Sequence, residues 1–251
     1  MEKLSLWPDY QTNPDLYSPD PQTRYEASRR YGEEFPNQEF DWPPACWGAG
    51  NAWLALVGPS RGKAHEGDQS GSLQPEHPKI GNQAPPIQFH DSRDGRFRAI
   101  CRAGFGIRAG FGINLGEDVP MKLSALLNLS PKNEADSEKL DEDTLRNGCD
   151  PVWKALREAK PRVIIALSRK VWKYLPPFLE EMGFKEQRAS IPPSCLRGKP
   201  LDCKVLPLFP ETKFHTLLLR SPQHPSMSWF KLGTHDAAIQ QTVDWFLRAQ
   251  L

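Results

Sequence analysis

The chain has 251 residues and a formal net charge of +1. This length suffices for a single domain of the α/β kind over residues 1–251. The near-zero charge excludes a global basic field, so any contact with nucleic acid must come from a local patch. No apolar run reaches the length that crosses a membrane, and the start of the chain lacks the apolar stretch of a signal peptide.

The cysteines favour a reducing compartment. There are five, an odd number, and no two of them are spaced as C-x-x-C. This pattern fits free thiols in a cytoplasmic protein and argues against a zinc ribbon or an iron–sulfur cluster. We therefore expect no metal and no cofactor.

The first third of the chain contains few clear elements. Residues 1–45 are polar, aromatic and rich in proline, and they predict an extension that wraps the surface, with one short helix over Pro21–Tyr31. The first strand is predicted at Trp53–Val57. Residues 63–120 have weak periodicity and are too long for an ordinary loop. We interpret them as an insertion near the site, either functional or partly mobile.

A short tandem repeat lies within this insertion. Arg102–Ile107 is followed at once by the identical Arg108–Ile113. Glycines beside aromatic residues permit close approach of the backbone to a ligand. Slippage duplication in a tolerant loop explains the repeat equally well.

The rest of the chain alternates strands and helices. Strands are predicted at Ser124–Leu129, Arg162–Leu167, Lys204–Phe209 (an edge strand) and His215–Arg220. Helices are predicted at Asp150–Ala159, near Arg169–Met182, and from Thr234 onward with Ile239, Val243 and Phe246 on one face. Residues 132–149 are charged and loop-like, and Pro176-Pro177 is expected to break or kink its helix. This order predicts an α/β layered sandwich with a mostly parallel sheet.

Four of the predicted strands end in small, turn-forming or polar residues. Buried parallel strands have this pattern, and ligands of open α/β sheets bind just beyond the carboxyl ends of the strands. We therefore expect a functional site at one rim, which would bring together Ser60, Asn128, Ser168 and His224. The stretch Gly58–Lys63 is not a nucleotide-binding phosphate loop, because its glycine spacing is one residue short and no Ser or Thr follows the lysine.

Two of these side chains have chemistry suited to a nucleobase. Asn128 is either a loop-capping residue or an amide that reads the hydrogen-bonding edge of a base. A lone histidine such as His224 is usually structural or solvated, but at a strand's carboxyl end a neutral imidazole can donate to a developing oxyanion. The apolar segment Ser226–Phe230 is either a wedge for a base stack or an aromatic lid packed on the core.

Taken in order, these segments resemble the uracil-DNA glycosylase superfamily over roughly residues 50–250. The resemblance rests on a G-x-x-x-G motif at Gly58–Gly62, L-L-N at Leu126–Asn128, a V-I-I-A-L unit at Val163–Leu167 and H-P-S at His224–Ser226. It implies a three-layer α/β/α fold that binds DNA, accepts a flipped base and hydrolyses the N-glycosidic bond.

The resemblance also implies roles for individual residues. Asn128 and Ser60 would bind the base, and His224 would stabilise negative charge on the leaving pyrimidine. The serine–proline loops, nearby cations and apolar residues after H-P-S would contact DNA. These DNA-binding residues are Arg61, Lys63, Ser130, Pro131, Lys132, Ser221, Pro222, Ser226, Met227 and Trp229.

The first motif departs from the family pattern. Family members carry there a carboxylate or an asparagine that positions water, whereas this chain has Pro59 and Ser60. Asp68 lies in a stretch that looks like the G-D-x-S-G segment of one branch of the family, and Glu66 and Asp91 are the other candidate catalytic acids. Without such a base the cleavage would be slowed rather than abolished.

The long insertion favours a substrate larger than uracil. A roomier pocket over residues 63–120, with Phe89 and Phe105 against the base, resembles bacterial anti-phage glycosylases that remove glucosylated 5-hydroxymethylcytosine from phage DNA. The expected partner is DNA, phage or damaged genomic, with no membrane and no obligate protein partner. The alternatives are a conventional uracil-repair glycosylase, a catalytically silent DNA-binding member, and a nucleotide or nucleoside hydrolase that uses the same rim.

Overall fold

The protein was studied as a computed structural model. It describes residues 52–61, 92–106, 124–133, 140–186, 192–193, 195–212, 214–225 and 229–249, together with Thr23, Trp47, Gly48 and Met227. Apart from these single residues, the predicted extension 1–45 and its helix lie outside the described residues, as does most of the insertion 63–120.

The described residues form one six-stranded sheet with the strand order β1-β3-β2-β4-β6-β5. Its strands are β1 (Trp47–Gly48), β2 (Leu54–Arg61), β3 (Ser124–Asn133), β4 (Val163–Ala166), β5 (Cys203–Leu206) and β6 (Thr216–Arg220). The four inner strands are mutually parallel, and the two edge strands run antiparallel to their neighbours. The prediction of a mostly parallel sheet is confirmed.

Helices cover both faces of the sheet. They are α1 (Ser92–Gly104), α2 (Glu142–Asn147), α3 (Cys149–Ala159), α4 (Arg169–Glu181) and α5 (His235–Arg248), with a short 3-10 helix at Pro210–Thr212. Helices α1 and α5 share one apolar core with the sheet. Helices α2, α3 and α4 share a second core with the opposite face. The α/β class predicted from the sequence is confirmed.

The alternation of side chains along β2 shows how the strands serve both cores. Leu54 and Leu56 belong to the core under α1 and α5, whereas Ala55 and Val57 belong to the other. A strand covered on both faces needs apolar residues at every position, and all four residues of β4 are accordingly buried. None of the helices in the described parts of the chain is long and apolar enough to cross a membrane.

Helix α1 lies where no helix was predicted. It falls within residues 63–120 and follows β2 in the chain. Its buried residues Phe97, Ile100 and Cys101 have the i, i+3, i+4 spacing of a helix face, but interspersed arginines and glycines weaken the pattern. Gly104 continues this face, and a methyl group there would come within 2.6 Å of Leu54 Cδ2. The glycine therefore lets α1 pack closely on β2.

One further prediction about helices is wrong, and half of another is. Helix α2 lies within the segment 132–149 that was predicted as a loop, and the side chain of Asp141 accepts a hydrogen bond from Thr144 N at its start. Helix α4 continues through Pro176 and Pro177, so the two prolines do not break it, whereas a kink at this point stays a prediction. Burial of Leu175 and Leu179 against the sheet outweighs the hydrogen bonds that the two prolines cannot donate.

Candidate functional site

The carboxyl ends of the four parallel strands lie at one edge of the sheet. Gly58 of β2 is opposite Asn128 of β3, and Ser60 is opposite Ser130. On the other side of β2 the chain pairs Val57 with the last residue of β4. The chain passes from β2 to β3 on one side and then to β4 on the other, and such a reversal opens a ligand crevice in α/β sheets.

Gly58 lies opposite Asn128 and has no side chain, which leaves room for the Asn128 amide in this crevice. Asn128 is only 6% exposed, and it lies on the face of the sheet that α1 and α5 cover, as does Leu126 two residues before it. A methyl group at Gly58 would overlap the side-chain oxygen of Asn128. The glycine of the first motif therefore makes room for the amide of the second.

Three serines near the rim are buried. Ser60 is 8% exposed, Ser130 is fully buried, and Ser221 is buried with its hydroxyl donating to the carbonyl of Gln223 at 2.6 Å. The hydroxyls of Ser130 and Ser221 thus do not face solvent. Both residues are buried as a whole, and their predicted contact with DNA stays a prediction.

His224 lies on the loop that follows β6. Ser221 N donates to Ala166 O at 2.9 Å and extends the parallel ladder into this loop. The imidazole contacts the ring of Phe97 edge-on, with centroids 6.2 Å apart. Burial lowers the pKa of His224 to about 4, so the imidazole is neutral at neutral pH. A neutral imidazole is a hydrogen-bond donor that does not carry a charge of its own.

The spacing of the strands sets how Asn128 and His224 can meet. Strands β2 and β4 lie between β3 and β6, so β3 and β6 are separated by three strand spacings, or about 14 Å. A common ligand requires the loop after β6 to turn back across the rim. The loop after β6 reaches α1, because the His224 ring contacts the ring of Phe97.

Arg96 is a residue of this site that the sequence analysis missed. Its guanidinium Nη1 donates to Met227 O at 2.8 Å and to Pro225 O at 3.4 Å. It therefore ties α1 to the backbone just after His224. The signal that would have helped is the helical spacing of Phe97, Ile100 and Cys101, which places Arg96 beside the buried face.

The segment after His224 contains three large apolar side chains that are exposed and one that is buried. We call Met227, Trp229, Phe230 and Leu232 the apolar loop. Met227, Trp229 and Leu232 are 36%, 58% and 55% exposed, whereas Phe230 is 4% exposed. Phe230 packs against His235 with ring centroids 5.2 Å apart. Phe230 therefore packs on the core, as the lid interpretation requires, while the other three side chains face solvent and their role as a wedge stays a prediction.

Phe105 is not brought to the rim. It is buried against Trp53, with stacked rings 5.7 Å apart, and Trp53 precedes β2 at the opposite end of the sheet. Helix α1 runs from the rim to that end, so its last residues lie far from the crevice. The assignment of Phe105 to base binding is therefore corrected, and its role is in the core.

Two other rim residues have structural partners. The hydroxyl of Ser168 accepts from Val171 N at 3.3 Å and caps α4. Arg220, a nearby cation, pairs with Asp202 at 2.9 Å. Pro222 is partly buried beside Ser221.

The candidate catalytic acids Asp68, Glu66 and Asp91 lie outside the described residues, as do Phe89, Lys63 and Ser226. Arg61, Pro131 and Lys132 belong to β2 and β3, but only their backbone is described. Their roles remain predictions.

One buried carboxylate near the rim is described. Asp236, in the first turn of α5, is 4% exposed, and its Oδ1 has no hydrogen-bond partner within the described part of the chain. The other end of α5 carries Phe246, which packs on Arg162 before β4. Asp236 is therefore at the carboxyl-end side of the sheet. From the sequence, Asp236 is recognisable only as part of a helix start.

No group of three or more His, Cys, Asp or Glu side chains suited to a metal occurs among the described residues. No family model matches the chain, and no curated protein is significantly similar to it.

Proposed function

We propose that this protein is a DNA glycosylase that hydrolyses the N-glycosidic bond of a flipped pyrimidine. The observation that carries the proposal is that a buried amide packed over Gly58 and a neutral, partly buried imidazole both lie on the carboxyl-end side of the parallel strands. The order of the four motifs supports a fold of the uracil-DNA glycosylase type, in agreement with the helices on both faces of the sheet.

Asn128 would select the base. Its amide offers donors and an acceptor to the edge of a pyrimidine, and a flipped base is read by such hydrogen bonds. The absence of a side chain at Gly58 leaves room for this amide in the buried crevice before the base arrives. A wrong base would leave buried polar groups unpaired, which is the most effective basis for discrimination.

His224 would stabilise the leaving group. When the bond between sugar and base breaks, its electron pair moves onto the pyrimidine and negative charge develops on a ring carbonyl oxygen. A neutral imidazole N–H donates a hydrogen bond to that oxygen and is most effective in a site that excludes water. Water then adds to the cationic sugar and loses a proton.

The proton that this water loses requires an acceptor. Asp68, Glu66 and Asp91 are the acids predicted from the sequence. Asp236 is the described carboxylate that lies on the same side of the sheet and has an oxygen without a partner there. A site with a weak or distant base would still cleave, because stabilisation of charge on the base and sugar supplies much of the rate.

The apolar loop would keep the base out of the helix. Side chains such as Met227 and Trp229 can enter a base stack and unstack it, and a rigid support lowers the cost of inserting them. Phe230 and Arg96 provide such supports at the two ends of the loop.

The substrate we favour is a modified pyrimidine, namely glucosylated 5-hydroxymethylcytosine of phage DNA, and the role is anti-phage defence in the cytoplasm. This choice rests on the missing first-motif carboxylate and on the glycine-rich insertion. A conventional uracil-repair enzyme and a silent DNA-binding protein are the alternatives.

The test is release of a base from DNA. The purified chain is incubated with glucosylated phage DNA, with uracil-containing duplex and with unmodified DNA, and released bases are identified by mass spectrometry alongside alkali-labile sites. We expect glucosylated 5-hydroxymethylcytosine to be released. Release of uracil alone would favour the repair enzyme, and binding without any release would favour the silent member.

Two variants assign the roles. Asn128→Ala should lower base release by about 10⁴-fold, as in pockets built to hydrogen-bond a substrate, and His224→Ala should lower turnover with little effect on DNA affinity. Matched controls are Asn147→Ala, at the exposed end of α2, and His215→Ala, which precedes β6 at the opposite end of the sheet. Unchanged turnover in His224→Ala would remove the imidazole from the mechanism.

A further inference from the structure

We propose that Arg96 is a positioning residue that fixes the backbone turn after His224 and so sets where the imidazole lies in the site. This inference rests on the proposed function for its effect on catalysis. The geometric part, that Arg96 holds the turn, can be tested without any substrate.

The contacts of Arg96 bridge the turn. A single guanidinium nitrogen donates to Met227 O at 2.8 Å and to Pro225 O at 3.4 Å. These carbonyls belong to residues on either side of position 226, and Met227 N in turn donates to His224 O at 3.1 Å. Bonds from a charged donor are stronger than those between neutral groups. The turn is thus closed by a hydrogen bond of its own backbone, and the Arg96 side chain of α1 binds two of its carbonyls.

The helix that supplies Arg96 is itself well anchored. Ile100 and Cys101 are fully buried in the core beneath α1 and α5, and Gly104 lets the helix rest on Leu54. The next residue, Phe97, contacts the His224 ring. Two consecutive residues of one rigid element therefore hold both the backbone and the ring of the same loop.

The rest of the loop has supports that do not depend on Arg96. Its start continues the ladder of β6 through Ser221 N, and its end is held by Phe230 against His235, whose Nδ1 accepts from Lys231 N at 3.1 Å. Arg96 of α1 places a positive charge beside the turn. His235 of α5 lies at the far end of the apolar loop. Loss of Arg96 should therefore leave the loop in place while loosening the turn that carries His224.

The experiment compares Arg96→Ala, Arg96→Lys and the control Arg98→Ala, which removes an exposed arginine from the same helix. The first readout is the NMR titration of the His224 ring in the folded protein without DNA. In Arg96→Ala we expect the titration midpoint to rise from about 4 toward the value of a solvated histidine, about 6.5. Arg96→Lys, which keeps a charged nitrogen with several donors, should lie between, and Arg98→Ala should match the parent protein.

The second readout is base release from glucosylated DNA. Arg96→Ala should lower kcat by about 10-fold or more with KM changed by less than about threefold, since a loss of transition-state geometry lowers kcat and a loss of simple binding raises KM. A folded Arg96→Ala protein with an unmoved His224 titration would overturn the inference, as would a change confined to KM. If the parent protein releases no base, the proposed function fails, and the NMR titration still decides whether Arg96 holds the turn.

Discussion

Asn128 and Gly58 constrain each other across two parallel strands. Asn128 is almost fully buried, and the space that its oxygen occupies is the space that a side chain at position 58 would need. A close-packed interior tolerates little added volume. The position of the amide that we propose reads the base therefore depends on a glycine at position 58.

A substitution at Gly58 tests this contact. Gly58→Ala should destabilise the fold by about 1–3 kcal/mol, as overpacking of a core does, and should lower base release by displacing the amide. The double variant Gly58→Ala/Asn128→Ala should recover much of the stability and none of the activity. Thermal unfolding and base release measure the two effects, and strictly additive losses of stability would show that the two residues do not touch.

His224 gives the protein a defined dependence on pH. Its pKa is lowered from 6.5 to about 4 by burial, so between these values the unfolded chain binds a proton that the folded chain does not. Stability is therefore complete above about pH 6.5 and falls as the pH drops toward 4. The pKa values of His215 and His235 are also lowered by burial, and they add to the same trend.

Replacing His224 should remove most of this dependence. Between pH 6.5 and 5 the parent protein should lose up to about 2 kcal/mol more stability than His224→Gln, the limit set by about 1.4 kcal/mol per pH unit for one proton. Denaturant unfolding at both pH values measures the difference. Between pH 7 and 8 the two proteins should respond alike, and equal losses at acid pH would mean that His224 is not buried in solution.

Single residues were predictable where the chemistry coincides with a strand end. Asn128 and His224 could be chosen because each follows the apolar run of a parallel strand, toward the carboxyl-end side of the sheet. Arg96 could not be predicted, because its hydrogen-bond partners are backbone carbonyls about half the chain away. Every residue has such a carbonyl, so the sequence does not indicate which one is bound. Phe105 was misassigned because an aromatic residue between glycines has no feature that distinguishes a core position from a ligand contact.

At the scale of elements, the apolar loop combines exposure with firm attachment. Its exposed members, Met227 and Trp229, lie between Arg96, which holds the turn after His224, and Phe230, which is buried. Side chains in this setting contribute little to folding, because their surface remains in water. Their contribution should appear when DNA binds.

Truncation of the loop separates folding from binding. Met227→Ala and Trp229→Ala should leave the thermal midpoint nearly unchanged and weaken DNA binding by about 10-fold each, in the range measured for base-stacking side chains. Met182→Ala, which removes an exposed methionine at the end of α4, is the control. Loss of folding stability without loss of DNA affinity would assign the loop to the core instead.

Helix α1 shows why one element escaped prediction. Its apolar face is short and arginines surround it, so tertiary packing rather than sequence pattern stabilises it. The final helix was predicted correctly because Ile239, Val243 and Phe246 repeat at helical spacing and all become buried. The difference lies in how much of each helix's stability comes from its own sequence.

At the scale of the whole molecule, the class of the fold follows from simple rules. Apolar runs that end in turn residues, separated by helices, yield a mostly parallel sheet with helices on both faces. The strand order and the reversal at β2 depend on contacts between distant segments, and the sequence pattern alone does not specify them. These contacts nevertheless decide that Asn128 and His224 share a rim.

The predicted DNA contacts include three cations, Arg61, Lys63 and Lys132, and so few cations predict a modest salt dependence. We expect about two to four neutralised phosphates, so DNA affinity should fall by roughly 10- to 150-fold between 50 and 200 mM salt. Binding measured by fluorescence anisotropy across this range gives the slope. A nucleoside hydrolase would act on free nucleosides with no such dependence, and that result would replace DNA as the partner.

The contact between Asn128 and Gly58 also orders the routes by which this protein can change over generations. A side chain at position 58 costs less stability once the residue at 128 has become smaller, so the order of the two steps matters. A lineage that has taken both steps returns at least cost by restoring the glycine at 58 before the asparagine at 128.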